Sequence, residues 1–370
     1  MTSNIWEVNI VNSSFGEKIK ITIFGGSHEP EIGVHIQGLP RFTAFDLKEL
    51  QEFLDERAPG NSPFTTTRKE PDLVRPERGL RIIDNLAVIT EPVVTLTIAN
   101  TNTRSEDYKN LRDIPRPGHA DYTAWIKYGN RLNMAGGGPF SARMTAPLCI
   151  AGGIALQLLR KEGVEIGAHL YSVGSIRDAA LNPLNPDIPT TSGFPTISRE
   201  AGEKMKEEIL SARKAGDSVG GIVEVYAKNC PAGLGGPMYD GVESVLSPIF
   251  FGIPAVKGIE FGAGFAASGM RGSENNDPFR MEGGQVRTST NHHGGILGGI
   301  TSGMPIIARL AFKPTPSIAK AQQSVSLSRK ENETLSIRGR HDPCVAVRAV
   351  PVCRAAMAIG LLNMIMEEKE

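Results

Sequence analysis

Between Arg116 and Arg143 the sequence reads RPGHADYTAWIKYGNRLNMAGGGPFSAR: a histidine on a Pro-Gly turn, Lys127 and Arg131 in a short segment, then three glycines before Ser-Ala-Arg. A histidine on a rigid turn is a candidate proton-transfer group, since its unperturbed pKa of about 6.5 lies near neutrality. The glycines let backbone approach a ligand closely, at an entropic cost. The flanking arginines point to an anion, because guanidinium forks hold carboxylate and phosphate through paired bonds. The same residue types recur elsewhere. Ser27 and His28 share a polar turn, and His341-Asp342 follows Arg340. The polar connection after residue 57 carries Arg68, Lys69, Arg75 and Arg78. Together they suit a small, multiply anionic molecule undergoing proton transfer.

Several elements must position these groups. In EKIKITIF, Ile19, Ile21 and Ile23 alternate with Lys18, Lys20 and Thr22, which predicts a half-buried strand. Val34 and Ile36 restart a strand after GGSHEPE, so Ser27 and His28 should sit where a hairpin reverses. DLKELQEFLDER predicts a helix over 46–57 with Asp46 as N-cap and Glu49 completing a capping box. The connection 58–79 is long, polar and basic, and loops of that kind inside compact proteins are disordered or functional. TAPLCIAGGIALQLLRKEG reads as a buried helix with a Gly152-Gly153 pair, and the tail VAVRAVPVCRAAMAIGLLNMIMEEKE as a second. SREAGEKMKEEILSARKAG is amphipathic with Ala201, Met205, Ile209 and Ala212 inward. Asp240 and Glu243 are expected to cap the helix GVESVLSPIFFG. GGIVEVYAKN, AVKGIEFG and PIIARLAFK are further strands. Irregular alternation of helices with hairpin-linked strands favours an α+β fold over a doubly wound sheet.

Lys plus Arg equals Asp plus Glu at 40 each, so no global field draws in nucleic acid or a membrane surface. Any basic site is local. The length of 370 residues leaves room for about two or three domains. Cys149, Cys230, Cys344 and Cys353 match no metal-ligand spacing, which argues against a metal site and for a reducing, cytoplasmic setting. No basic-then-apolar leader is evident before IKITIFGG, and no uncharged run of about 18 apolar residues occurs, so neither a signal peptide nor a membrane span is expected. Neither GxxxxGK[ST] nor GxGxxG between strand and helix is present, which excludes a P-loop and the fingerprint of a nicotinamide-dependent oxidoreductase.

The blocks FGGSHEPEIGVHIQGLP, TTTRKEPD, NTNTRSEDY, RPGHADYTAWIKYG, GGGPFSAR, RGSENNDPF, HHGGILGGITSGMPI, FKPTPSI and GRHDPC occur in one order along nearly the whole chain. In them the sequence resembles the chorismate synthase family. The resemblance implies one domain over 1–370, built as a β-α-β sandwich with a helical layer between two antiparallel sheets, and a homotetramer. It implies a shikimate-pathway lyase that removes phosphate and a proton from 5-enolpyruvylshikimate 3-phosphate, using reduced FMN without net redox change. NADPH is a possible reductant of the flavin. Carried over by motif, His28 is the acid near the departing phosphate, His119 steadies charge on the flavin, and Asp342 assists proton transfer. Ser27, Arg57, Arg68, Arg116, Ser141, Arg143 and Arg340 are expected to bind substrate. Arg143, Asn275, Gly294, Gly295, Lys313, Thr315 and Arg340 are expected to bind the flavin. The chain departs from the family pattern in three places. GESHG becomes GGSHE at 25–29, RRRPG becomes ERAPG at 56–60, and GGGRSSARET becomes GGGPFSARMT at 136–145. The loss of arginines at Glu56, Ala58 and Pro139 motivates an alternative, a weakened or non-catalytic flavin- or phosphate-binding relative.

Overall fold

Apolar alternation gives the chain two sheets with one buried face each. In the computed structural model, which describes residues 13–60, 64–66, 70–101, 113–188, 193–337 and 341–368, both sheets are antiparallel throughout. The first joins Ser13–Phe15 (β1), Lys20–Gly25 (β2), Glu31–Gln37 (β3), Val74–Arg78 (β5) and Val93–Ala99 (β8) in the order β1-β2-β3-β8-β5. The second joins Glu165–Val173 (β9), Ile176–Arg177 (β10), Gly221–Lys228 (β11), Val256–Phe261 (β12) and Ile306–Phe312 (β17) in the order β10-β9-β11-β17-β12. Ala44–Asp46 (β4), Leu80–Ile83 (β6) and Leu86–Ile89 (β7) make a small third sheet. Three hairpins pair Phe279–Glu282 (β13) with Gln285–Thr288 (β14), Ile296–Leu297 (β15) with Ile300–Thr301 (β16), and Gln322–Ser326 (β18) with Glu331–Leu335 (β19). The helices are Leu47–Arg57 (α1), Asp121–Tyr128 (α2), Thr145–Lys161 (α3), Arg199–Lys214 (α4), Val242–Phe251 (α5), Gly272–Asn275 (α6) and Ala346–Glu368 (α7).

Ile32, Val34 and Ile36 on β3 and Val94, Leu96 and Ile98 on β8 face inward, against α3. Val223, Val225 and Ala227 on β11, with Ala308 and Leu310 on β17, form the opposite wall, against which α7 packs. The expected α+β sandwich, a helical layer between two antiparallel sheets, is the observed architecture. Ala142–Lys161, which is α3 with the 3₁₀ turn before it, and α7 are long and apolar enough to cross a membrane, yet 89% of each such window is buried within the fold. All four cysteines are free and buried.

Two expected caps are built differently. Asp46 caps α1, accepting from the Lys48 and Glu49 N–H groups, but Gln157 Oε1 satisfies the Asp46 N–H and Glu49 pairs with Arg160 instead. Asp240 does not cap α5. The N-cap is Gly241, with no side-chain cap, because Met238–Asp240 forms its own 3₁₀ turn. The connection 58–79, read as one long loop, contributes the edge strand β5.

The two central helices touch backbone to backbone at Gly152. A Cβ there would lie 2.2 Å from Ala355 Cβ and 2.4 Å from its Cα. Gly152→Ala would gain about 1 kcal/mol of helix propensity, but overpacking of this kind costs about 1–3 kcal/mol. The expected net is destabilisation in urea unfolding; a variant as stable as the parent would contradict this packing.

Candidate active site

Arg116-Pro117-Gly118-His119 forms a type II turn. His119 N–H donates to the Arg116 carbonyl at 3.2 Å, and Gly118 has φ of 72° at the position that requires a positive value. The turn aims both ends at Asp121 on α2. Arg116 donates bidentately to it, at 2.6 and 2.7 Å, and Nη1 donates to Ser317 Oγ. His119 Nδ1 lies 2.7 Å from Asp121 Oδ1. Arginine only donates, so its approach to Nδ1 is adjacency, and the carboxylate fixes the ring proton on Nδ1. Nε2 is thereby left as the accepting nitrogen. Burial, together with the Arg116 charge, outweighs Asp121 and holds the His119 pKa below 6.5, so the ring is neutral at pH 7. Burial would raise the Asp121 pKa, but Arg116 and His119 bring it far below the usual carboxylate range.

A second carboxylate organises the opposite wall. Asp72 is wholly buried and pairs with Arg57 Nη1 and Arg143 Nη1. Burial favours its neutral form, yet Arg57 and Arg143 outweigh that and keep it ionised. Arg57 Nε and Nη2 donate to Thr145 Oγ1 and the Ala142 carbonyl, so each of its three nitrogens makes a hydrogen bond. Arg143 Nε donates to Asn100 Oδ1 at 3.0 Å, while its Nη2 is buried without a hydrogen-bond partner among the described residues. Arg348 on α7 donates from Nη1 to Asp342 Oδ2 at 2.8 Å, and Asp342 Oδ1 accepts from the Thr66 N–H.

Gly136, Gly137 and Gly138 all have positive φ. A Cβ on Gly136 would fall 2.5 Å from His28 Nε2 and 2.9 Å from Ser27 Oγ. The glycine run therefore lies directly on the β2–β3 turn. Ser27 Oγ donates to the Ala135 carbonyl, which clasps the two loops. Asn100 extends the clasp: its Nδ2 donates to the Gly26 and Glu29 carbonyls while its Oδ1 holds Arg143.

These parts enclose a cavity of about 360 Å³, within the range of small-molecule sites. Of the residues expected at a site, Arg57, Arg116, His119, Ser141, Arg143, Lys313, Thr315 and Asp342 line it. His28 and Ser27 lie behind Gly136, itself part of the lining. Asn275, Gly294 and Gly295 are not brought there. Gly294 packs against Gly262, at the far end of β12 from the cavity-lining Ala255. The Gly295 N–H is taken by Asn291 Oδ1, and the Asn275 carbonyl meets His292. Arg68 and Arg340 lie outside the described residues. Sequence reasoning passed over Asp72, Asn100, Asp121 and Arg348, and noted His341 only as one half of a His-Asp pair. Asp72 and Asn100 stood in the recognised blocks TTTRKEPD and NTNTRSEDY without an assigned role, and Arg348 was hidden in an apolar helix.

The departures from the family pattern bear unequally on the cavity. The Glu29 side chain folds over Gly26, its Oε1 3.4 Å from where a Cβ would stand there, so an acid occupies this space from the other end of the turn. Glu56 pairs with Arg354 away from the lining. Phe140 does line the cavity, making that edge apolar.

The sequence matches the family described as Chorismate synthase over residues 19–366. Relatives named Chorismate synthase include one from Methanosarcina acetivorans, 44% identical over 94% of both chains. Another, from Lancefieldella parvula, is 41% identical over 96% of both, and one from Thermococcus kodakarensis is 42% identical over 96% of this chain and 98% of the relative. A solved structure titled Crystal Structure of Chorismate Synthase superposes with a TM-score of 0.72 over 95% of this chain and 93% of that one. At 24% identity it speaks for the fold.

Asp72→Asn removes the carboxylate shared by two buried guanidiniums, leaving Arg143 only the more distant Glu70 at 3.6 Å, and breaking such pairs costs about 3–5 kcal/mol. Because the folded Asp72 pKa lies below its unfolded value of 3.8, its stabilisation is present above that pH and lost as pH falls through the folded pKa. Unfolding midpoints of both proteins from pH 7 to 2 should therefore converge; a constant gap would refute the charge role. Gly136→Ala should displace His28 and lower turnover at least tenfold while costing about 1 kcal/mol in stability; full activity would separate the glycine run from His28.

Proposed function

The chain belongs to the chorismate synthase family, and from that premise we propose that this cavity performs the anti-1,4-elimination of phosphate from 5-enolpyruvylshikimate 3-phosphate. The observation that carries the reading is the gathering of His119, Arg143, Lys313 and Asp342 on one lining, with His28 against it. In the reaction the C3–O bond breaks with its electron pair leaving on phosphate, and a proton departs from C6. His28 would supply a proton to the leaving phosphate, and Arg143 Nη2, which has no partner among the described residues, would hold an anionic oxygen. Asp342, held by Thr66 and Arg348, would assist the C6 proton transfer.

The donor set suits a reduced FMN cofactor. Thr315 Oγ1 is buried with no partner among the described residues, and Lys313 borders the same space. When bound, the reduced flavin supplies an electron-rich ring that favours phosphate loss. His119, neutral and pinned by Asp121, would accept a proton at Nε2 and so limit charge building up nearby. The same reading includes the whole chain as one domain, a homotetramer, a cytoplasmic location and NADPH as a possible flavin reductant.

Anaerobic mixing with reduced FMN and the enolpyruvyl substrate should release phosphate and chorismate in equal amounts. Tight flavin binding with no turnover would reject the proposal. His28→Ala and His119→Ala should each lower kcat by about 10²–10⁴-fold with little loss of stability. The acid limb of kcat/KM that His119 produces should lie below pH 6.5.

A further inference from the structure

Three residues that line one cavity each carry a buried polar atom with no hydrogen-bond partner among the described residues: Arg143 at Nη2, Thr315 at Oγ1 and His341 at Nε2. Buried polar groups in folded proteins are nearly always paired, so a cluster of exceptions around one void indicates that the partners belong to the molecule the void receives. Arg143 and Thr315 already have roles implied by resemblance to the family. His341 has none.

We propose that His341 is a ligand-contacting residue of this cavity, its Nε2 donating a hydrogen bond to an anionic oxygen of the bound molecule. The neighbouring carboxylate does not serve it: Asp342 turns Oδ1 to the Thr66 N–H and Oδ2 to Arg348, and His341 Nε2 has no hydrogen bond to it. Arg57, Arg116, Arg143, Lys313 and Arg348 border the same space against the acids Glu70 and Asp342, and this excess of basic groups favours an anion facing the ring, which only accepts. Nε2 must then carry a proton. Burial, then the Arg116 charge, keeps the free ring neutral, with Asp342 opposing them, so the tautomer with hydrogen on Nε2 meets the ligand. Two sources share this chemistry: a phosphate or carboxylate of the substrate, and the phosphate of the flavin. The inference rests on the proposed elimination only for which of these molecules is present.

The test compares His341→Ala and His341→Gln with the parent in anaerobic turnover, in calorimetric binding of FMN and of the enolpyruvyl substrate, and in thermal unfolding. One hydrogen bond to a charged group corresponds to about 10–100-fold in affinity or kcat/KM. The Ala variant should lose that much, and Gln, whose amide nitrogen reaches towards the place of Nε2, should recover most of it at unchanged Tm. Weaker substrate binding with FMN affinity kept assigns the oxygen to the substrate; the reverse assigns it to the flavin. Unchanged binding and turnover in the Ala variant would overturn the proposal. So would equal losses in Ala and Gln accompanied by a fall in Tm, which a merely structural ring would give. A parent that binds these molecules without turning over would reject the elimination while the binding comparison still decides the role of His341.

Discussion

Asp72 stands between two arginines that come from different segments of the chain, Arg57 at the end of α1 and Arg143 just before α3. Two guanidinium groups buried side by side repel one another and forgo hydration, a cost that only a close counter-charge with matching donors can offset. One carboxylate serves both. Arg57 then donates from Nε and Nη2 to Thr145 and Ala142, at the start of α3, whereas Arg143 Nη2 has no hydrogen-bond partner among the described residues. A structural ion pair and a ligand-facing cation are thus made from the same buried acid.

The opposite wall repeats the device with a histidine in place of the second arginine. Asp121 takes the bidentate fork of Arg116 and the Nδ1 proton of His119. It sets the orientation and tautomer of an imidazole whose neutral state is maintained by burial. Asn100 connects the walls' supporting loops, gripping the His28 turn through two carbonyls and Arg143 through its amide oxygen. Charged groups in the cavity are therefore positioned by uncharged or compensating partners behind them, which leaves the lining basic while limiting uncompensated burial.

The rigid frame for these loops is the helical layer. α3 begins at the cavity, with Arg143 and Thr145, and runs into the core beneath the first sheet. α7 begins there too, with Arg348, and packs on the second sheet. Gly152 lets the two helices meet closely enough for their first turns to share one cavity wall. Substitutions from the usual family pattern fall largely outside this frame: the acid of the His28 turn moves from 26 to 29 and fills the same space, and Glu56 finds Arg354 on the exposed side.

Local sequence was enough for the strands that alternate, the two apolar helices, the hairpin at His28 and the Pro-Gly turn at His119, because each depends on neighbours within a few residues. It also indicated which residue types would meet an anion. Which of those arginines remained available to a ligand was decided only by tertiary structure. Arg57 and Arg143 look alike in the chain, yet each nitrogen of Arg57 is hydrogen-bonded while Nη2 of Arg143 has no partner among the described residues, since Asp72, Asn100 and Thr145 arrive from distant segments. The same holds for Asn275, Gly294 and Gly295, whose glycine-rich loop resembles a ligand cradle but lies at the far end of β12 with the Gly295 amide already bonded. Spacing along a chain records what a residue can do, whereas the partners that consume or spare its donors are set by folding.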